Sequence, residues 1–284
     1  MKQMKYARIC VVVFALAIAV SSNAGASPLG LFQNPTPEFP FALDPLRDGA
    51  LVGGGLVLYG SSLYLQSIKP APNPSDINPV NIPFFDRAYP SNPSTTLTTL
   101  GDDISIALAA LPLVLLPGRT GGEILTLGVM YGETLELAYS VDSLLKSAIV
   151  RYRPYAYSTT TLADFSNVRI TESFPSANSS LAFAAAVFSG YAFDELYPDS
   201  SLRFWVWASG LGAATAVSGL LVAGGDHFVS DVVAGAVIGA ASGFLVPLFH
   251  EHFRPITMKP GDAVSSIEIN PGVGGIAVRL CLRP

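Results

Sequence analysis

The chain has 284 residues, of which 50% are hydrophobic and only 13% are charged. Its mean hydropathy is +0.45, whereas soluble globular domains carry about 25% charged residues. The formal net charge is −5 and no basic block is present, so we do not expect nucleic acid as a partner. These properties favour a membrane or envelope protein with one domain of roughly 200 residues plus its ends.

The first residues have the pattern of an export signal. Three basic residues precede an apolar run at 9–20, and small residues follow at 24–26. The apolar run is short for a membrane span, which needs about 20 residues. We therefore expect 1–26 to be a signal peptide, with an uncleaved N-terminal helix as the alternative.

Six later segments are long and apolar enough to form buried helices. Small residues recur in them, as in VVAGAVIGAASGF, and such residues let helices approach closely in a membrane bundle. A proline-rich stretch at 67–99 predicts an ordered loop or lid between the first two. The predicted helices are 49–66, 100–116, 122–150, 176–194, 203–224 and 228–250.

The expected domain organisation follows from these segments. We expect a lead-in at 27–48, a helical domain at 49–254 and a C-terminal tail at 255–284. The tail alternates apolar and polar residues well enough to predict one or two short strands.

The third predicted helix is a poor candidate for contact with lipid. It contains Glu133, Glu136 and Asp142, and a charge within a membrane helix costs about 2.5–3.5 kcal/mol on insertion scales. We expect these acids to face the bundle interior or water. A soluble bundle of exported helices is the alternative that their presence leaves open.

Two groups of residues could bind phosphate. Lys146 and Arg153 lie seven residues apart, which predicts two cations on one helical face. Ser176, directly after Pro175, could cap a helix whose N-terminus favours an anion. Taken singly, the cations also fit anchoring at a membrane interface, and the serine also fits capping alone.

The third group lies in the stretch GGDHFVSDVVAG. His227 and Asp231 are four residues apart, so we expect them to stack on one helical face. A carboxylate on one ring nitrogen fixes the tautomer and leaves the other nitrogen free to attack. A polar cap where the helix meets water is the alternative.

The three groups together resemble the type 2 phosphatidic acid phosphatase and vanadium haloperoxidase superfamily. Its motifs occur here in order as Lys-x6-Arg-Pro, Pro-Ser and Gly-x-His-x3-Asp. The resemblance implies an all-α, six-helix membrane-type bundle with the three motifs at one end. It also implies that His227 attacks phosphorus to give a phosphohistidine and that Asp231 orients it. Phosphate binding would fall to Lys146, Arg153 and Ser176.

The resemblance covers about 50–250 and fails at two motif positions. The family's second motif reads Pro-Ser-Gly-His, and its histidine protonates the leaving group; here Ala177 and Asn178 occupy the last two places. The third motif has an arginine six residues before its histidine, where this chain has Leu221. Asn178 can donate a hydrogen bond but cannot release a proton. Asp226 is the best remaining acid, provided that its surroundings raise its pKa.

These features predict a phosphatase-like protein that hydrolyses lipid phosphates or diphosphates, weakened by its missing groups. General acid catalysis is worth about 10²–10⁴-fold, and a diphosphate needs it least because phosphate is a good leaving group. The alternatives are a catalytically silent protein that binds phosphate or a lipid head group, and a structural envelope protein without a phosphate site.

The resemblance also predicts the surroundings of the protein. We expect no cofactor and no metal, and we expect the lipid bilayer and a lipid phosphate as partners. The expected location is the membrane of a bacterial-type cell envelope with the site facing the periplasm. In a six-span bundle this orientation requires 1–26 to be retained as a further span, whereas a cleaved signal would place the site on the cytoplasmic side. An exported periplasmic protein is the alternative.

Overall fold

The computed structural model describes residues 39–88, 92–158 and 164–251, and the backbone of two strands at 263–272 and 275–283. The chain divides into two compact units, Met1–Glu251 and His252–Pro284. The predicted signal at 1–26 lies outside the described residues, as does most of the lead-in.

Six α-helices build the described part of the first unit, each within a few residues of a predicted segment. The all-α, six-helix fold is therefore confirmed. In chain order, the helices are α1 (Pro45–Ser67), α2 (Thr95–Leu108), α3 (Gly121–Ala148), α4 (Ala177–Leu196), α5 (Arg203–Ala223) and α6 (Val229–His250).

The helix ends follow from local capping residues. The Asp44 carboxylate accepts hydrogen bonds from the first turn of α1, and Thr120 forms a reciprocal capping box with Glu123 at the start of α3. Helix α2 is shorter than predicted and is continued by a 3₁₀ segment, Leu111–Leu115, in which Pro112 cannot donate an α-helical hydrogen bond.

Helix α6 packs against α4 through three glycines spaced four residues apart. A Cβ atom at Gly235 would lie 2.2 Å from the Ser176 carbonyl oxygen, and one at Gly239 would lie 2.0 Å from that of Ser180. Gly243 approaches the backbone of α4 in the same way. The predicted close approach of small residues is thus present, and it brings the beginnings of α4 and α6 together.

The acidic residues of α3 face the interior of the bundle, as predicted. Glu133 and Asp142 are each only 2% exposed. Glu136 is half-buried, and its carboxylate fills the space left by the missing side chain of Gly55.

The outer surfaces of several helices are apolar. Among the described residues, three stretches are long and apolar enough to cross a membrane: Thr95–Leu115, Arg203–Ala223 and Val229–His250. Large exposed side chains on α5 and α6 include Phe204, Trp205 and Phe244. An apolar outer face combined with buried acids is typical of a bundle surrounded by lipid.

The second unit contains a two-stranded antiparallel sheet. Strand β1 (Ala263–Gly272) pairs with β2 (Gly275–Arg283), with a register irregularity between Val264 and Ser266. The prediction of short strands in the tail is confirmed.

Candidate phosphate site

A cavity of about 360 Å³ lies at the end of the bundle where α3 ends and α4 begins. Its lining includes residues from the stretches of all three motifs, although Ser176 itself is not among them. Those residues are Lys146, Arg153, Ala177, Asn178, Asp226 and His227.

The two cations reach this cavity by a route that differs from the prediction. Helix α3 ends at Ala148, so Lys146 and Arg153 do not share a helical face. Arg153 has extended backbone angles, φ −73° and ψ 153°, as expected for a residue before proline. Its N–H donates to the Ile170 carbonyl oxygen at 2.9 Å. The two cations therefore meet because the chain after α3 is extended and pairs with a later segment.

Arg153 is the central cation of the site. One terminal nitrogen, Nη1, lies 2.5 Å from Asp226 Oδ2 and 3.3 Å from His227 Nε2. Lys146 is also buried, and its Nζ donates to the carbonyl oxygens of Glu172, at 3.0 Å, and of Pro175. The side chains of both cations border the same cavity, which suits it to an anion.

His227 also differs from its predicted setting. Helix α6 begins at Val229, so His227 precedes the helix and does not stack on its face. Its Nδ1 is nevertheless 3.6 Å from Asp231 Oδ2. Burial lowers the pKa of His227 and Arg153 lowers it further, although Asp231 and Asp226 act in the opposite direction. The ring is therefore neutral at neutral pH and has a lone pair available for attack.

The Asp231 carboxylate is fixed by its neighbours. Its Oδ2 accepts hydrogen bonds from the Phe228 N–H at 2.8 Å and from Ser173 Oγ at 2.5 Å. Its Oδ1 accepts from Arg151 Nη1 at 2.6 Å. This carboxylate therefore has little freedom to move away from His227.

Arg151 is not among the site residues predicted from the sequence. In the structure Arg151 bridges two buried carboxylates, those of Asp231 and Asp86, with the second contact at 2.5 Å. Asp86 belongs to the proline-rich loop and also accepts a hydrogen bond from Ser230 N at 3.0 Å. The loop is thereby tied to the start of α6, and no local pattern in the sequence indicates this long-range contact.

Ser176 has the position of a helix cap. It is fully buried, and its Oγ accepts from the Ser179 N–H at 3.4 Å. Its side chain does not border the cavity, whereas Ala177 and Asn178 do. The structure thus gives the predicted phosphate ligand a capping role, while the N-terminus of α4 still favours an anion at the cavity.

The two positions that depart from the family motifs differ from each other. Asn178 borders the cavity, and its Nδ2 donates to Asp102 Oδ1 at 2.5 Å. Leu221 is fully buried in an apolar cluster with Val217 and Val232. The Leu221 side chain therefore belongs to the core and does not border the cavity.

Asp226 does not have the environment that a proton donor needs. Burial alone would raise the pKa of its carboxyl group, but Arg153 and His227 outweigh burial and lower the pKa to about 2. Asp226 is thus ionised at neutral pH. The condition under which it could replace the missing acid is not met.

The cavity wall also includes polar residues that the sequence motifs did not assign to the site, among them Asp102, Asp142, Tyr155 and Arg169. Asp102 and Asp142 are buried acids in apolar helical segments, a signal that could have identified them. Tyr155 keeps its proton because burial raises its pKa. Arg169 lies in a short 3₁₀ helix, Val168–Thr171, and adds a third cation to the wall.

Part of the chain is similar to a family of known proteins. The model of the PAP2 superfamily matches residues 127–255. A similar solved structure is the crystal structure of the first transmembrane PAP2 type phosphatidylglycerolphosphate phosphatase from Bacillus subtilis, with 20% identity and a TM-score of 0.37. That match covers 72% of this chain and 92% of the other. No curated protein matches significantly. All three motif groups lie within residues 127–255, the stretch of the chain that is similar to the PAP2 superfamily.

Proposed function

We propose that this protein is a weak PAP2-type phosphohydrolase that acts on lipid phosphates or diphosphates. The observation that carries this proposal is the 3.3 Å distance between Arg153 Nη1 and His227 Nε2, at a cavity that Lys146 also borders. A neutral imidazole nitrogen beside two cations has what attack on a phosphate group requires.

The proposed reaction has two steps. The Nε2 lone pair of His227 attacks phosphorus, the bond from phosphorus to the leaving oxygen breaks, and a phosphohistidine forms. Water then attacks the phosphohistidine, releases inorganic phosphate and restores the ring. Asp231 stabilises the positive ring in the first step, while Arg153 and Lys146 balance the charge on the phosphate oxygens.

The leaving group determines the preferred substrate. Asn178 occupies the family's proton-donor position, and its amide is hydrogen-bonded to Asp102. An alkoxide must then take its proton from water, whereas a phosphate leaving group needs little help. We therefore propose that diphosphates are hydrolysed faster than alkyl monophosphates.

Arg169, in the cavity wall, can take the place of the missing third-motif arginine. Arg169 is half-buried and borders the cavity, and its carbonyl oxygen accepts from Arg153 Nε at 3.0 Å. We propose that the Arg169 guanidinium adds a phosphate contact that Leu221 cannot make.

A second candidate function is silent binding of phosphate or a lipid head group. It is favoured by the Asp226 carboxylate, which already forms an ion pair with Arg153 and lies 3.5 Å from His227 Nε2. An anion placed there competes with phosphate for the same cation. Such a protein would bind its ligand without turnover.

The apolar helices support a location in the membrane. We propose that this membrane belongs to a bacterial-type envelope and that the cavity faces the periplasm. A cysteine placed at the cavity mouth, for example by Asn167→Cys, should react with an impermeant maleimide in intact cells. Reaction only after the cells are opened would contradict the periplasmic orientation.

The function is tested by assaying phosphate release from a lipid monophosphate and a lipid diphosphate. Purified protein should release phosphate faster from the diphosphate, and His227→Ala should release none. Vanadate, which resembles the transferred phosphoryl group, should inhibit the parent. Vanadate binding without phosphate release would support the silent alternative. The absence of both would contradict phosphate hydrolysis and phosphate binding alike.

A further inference from the structure

A second histidine lies among carboxylates far from the phosphate cavity. Asp48 in the first turn of α1, Glu133 within α3 and His250 at the end of α6 converge there. His250 Nε2 lies 3.1 Å from Glu133 Oε2 and 3.2 Å from Asp48 Oδ1. Glu133 is about 20 Å from Lys146 along α3, by the rise of an α-helix, so this cluster is separate from the phosphate site.

The orientation of the His250 ring determines what this cluster can bind. Its Nδ1 lies 2.7 Å from the Val246 carbonyl oxygen, which can only accept, so Nδ1 carries a proton. In a neutral ring, Nε2 then presents a lone pair to two carboxylates. Apart from the contacts of Nε2 with Glu133 Oε2 and Asp48 Oδ1, neither Nε2 nor either side-chain oxygen of Glu133 has a hydrogen-bond partner among the described residues.

Burial makes this arrangement costly without a cation. His250 is fully buried, and Glu133 is only 2% exposed. Unpaired carboxylate oxygens facing a nitrogen lone pair in such a setting repel one another and have lost their hydration. A cation between the three side chains would remove both costs.

The geometry resembles that of a metal site. A backbone carbonyl oxygen on the second ring nitrogen is a usual support for a metal-binding histidine. Metal bonds of about 2.0–2.2 Å separate neighbouring ligand atoms by about 3.0–3.5 Å, and the distances from His250 to Glu133 and Asp48 lie in that range. One imidazole with two carboxylates suits Zn²⁺ or Mn²⁺ better than the all-oxygen ions Ca²⁺ and Mg²⁺.

The surroundings fit a cation and give it a way in. Arg47 pairs with Asp48 through Nε and Nη2, which lie 2.8 Å and 2.7 Å from the same oxygen, Oδ1. One arginine for two carboxylates leaves a net negative charge at the cluster. The Asp48 side chain is 16% exposed, so an ion can reach the cluster from that side.

We propose that Asp48, Glu133 and His250 form a binding site for a divalent transition metal of the Zn²⁺ or Mn²⁺ type. The metal would join the beginning of α1, the middle of α3 and the end of α6. The sequence predicted no metal, because the three residues are scattered over 200 positions and have no ligand-like spacing. The rival explanation is that a proton takes the place of the metal, so that His250 is an imidazolium paired with Glu133.

The experiment uses the full chain, purified in detergent, stripped with a chelator and titrated separately with ZnCl₂ and MnCl₂. The metal content after gel filtration should be one ion per chain. Binding should raise the melting temperature by about 5–10 °C at a metal concentration 100-fold above Kd. Co²⁺ substitution should give visible absorption bands that change when the histidine is replaced.

Matched variants make the test specific. Glu133→Gln keeps the shape of the ligand, removes its charge, and should weaken binding by at least about 100-fold. Asp48→Asn serves the same purpose if Glu133→Gln does not fold. Glu136→Gln, on a neighbouring buried acid of the same helix, should bind as the parent does. A parent without bound metal or melting shift, or equal losses in the Glu136 and Glu133 variants, would overturn the proposal.

Discussion

Each end of the bundle contains a buried histidine between two carboxylates, but the charges around the two histidines differ. At the cavity, His227 lies between Asp226 and Asp231, and each carboxylate has its own arginine, at 2.5 Å and 2.6 Å respectively. Lys146 adds a further positive charge to that end. The cations grouped around His227 Nε2 suit that part of the cavity to an anion.

The other end contains the same residue types with fewer cations. His250 lies between the carboxylates of Glu133 and Asp48, and Arg47 is paired with Asp48. That balance favours a cation. A histidine beside a carboxylate therefore does not by itself determine whether a site suits an anion or a cation. The other charges around the pair determine it.

The largest expected effect is the loss of the nucleophile at the anion-binding end. His227→Ala should reduce phosphate release from the diphosphate by about 10⁴-fold or more, because the phosphohistidine cannot form. Acid-labile labelling of the parent by radioactive substrate should disappear in the variant. The thermal melt should show that the variant is folded. Residual turnover close to that of the parent would mean that another group attacks phosphorus.

The next effect concerns the missing proton donor. Asn178→His places an imidazole beside Asp102, which can accept a ring N–H and favour the protonated form. Turnover of an alkyl monophosphate should rise by about 10²–10⁴-fold, and that of a diphosphate should rise less. Asn178→Gln, which cannot release a proton, is the control. Equal gains for both substrates would contradict the leaving-group argument.

Adding Leu221→Arg to Asn178→His should not raise turnover further, although the family's third motif has an arginine at this position. Leu221 is fully buried among apolar side chains, and an unpaired charge there would cost several kcal/mol. We expect the double variant with Asn178→His to be less stable and no more active than Asn178→His alone. Denaturant unfolding of both variants measures the difference.

Much of the fold could be predicted because it rests on local patterns. Apolar segments of sufficient length gave six helices, and the small residues near Gly239 indicated a close helix pair that the structure contains. The buried acids of α3 could be placed from the cost of exposing them to lipid.

The details of the site could be predicted less well because they depend on where helices end and what packs across the bundle. The spacing of Lys146 and Arg153 suggested one helix, but β-branched Val150 and the residue before Pro154 favour extended backbone. Contacts such as Arg151 with Asp86, and the trio around His250, join residues far apart in the chain. Spacing carries no information about such pairs.

A smaller effect is expected from the carboxylate that pairs with the central cation. Asp226→Asn keeps the size of the side chain and removes its charge from Arg153. Vanadate should then bind about tenfold to hundredfold more tightly, the equivalent of one charge-assisted interaction of about 1.5–3 kcal/mol. Inhibition curves for the two proteins give this ratio. Weaker vanadate binding would show that Asp226 is needed to position Arg153.

The smallest expected effect is a displacement of the pH profile. Burial and Arg153 lower the pKa of His227, so the ring should stay neutral, and the enzyme active, below the ordinary histidine pKa of about 6.5. As the pH falls through the lowered pKa, protonation removes the attacking lone pair and kcat/KM declines. Asp226→Asn should move this acidic limb to still lower pH, because the carboxylate stabilises the imidazolium. Substrate phosphates titrate near pH 6, so the limb must be measured with two substrates of different phosphate pKa. If the acidic decline of kcat/KM shifts with the enzyme variant and not with the substrate, it reports the protonation of His227. A decline that shifts with the variant but lies above about pH 6.5 would contradict a neutral, buried nucleophile.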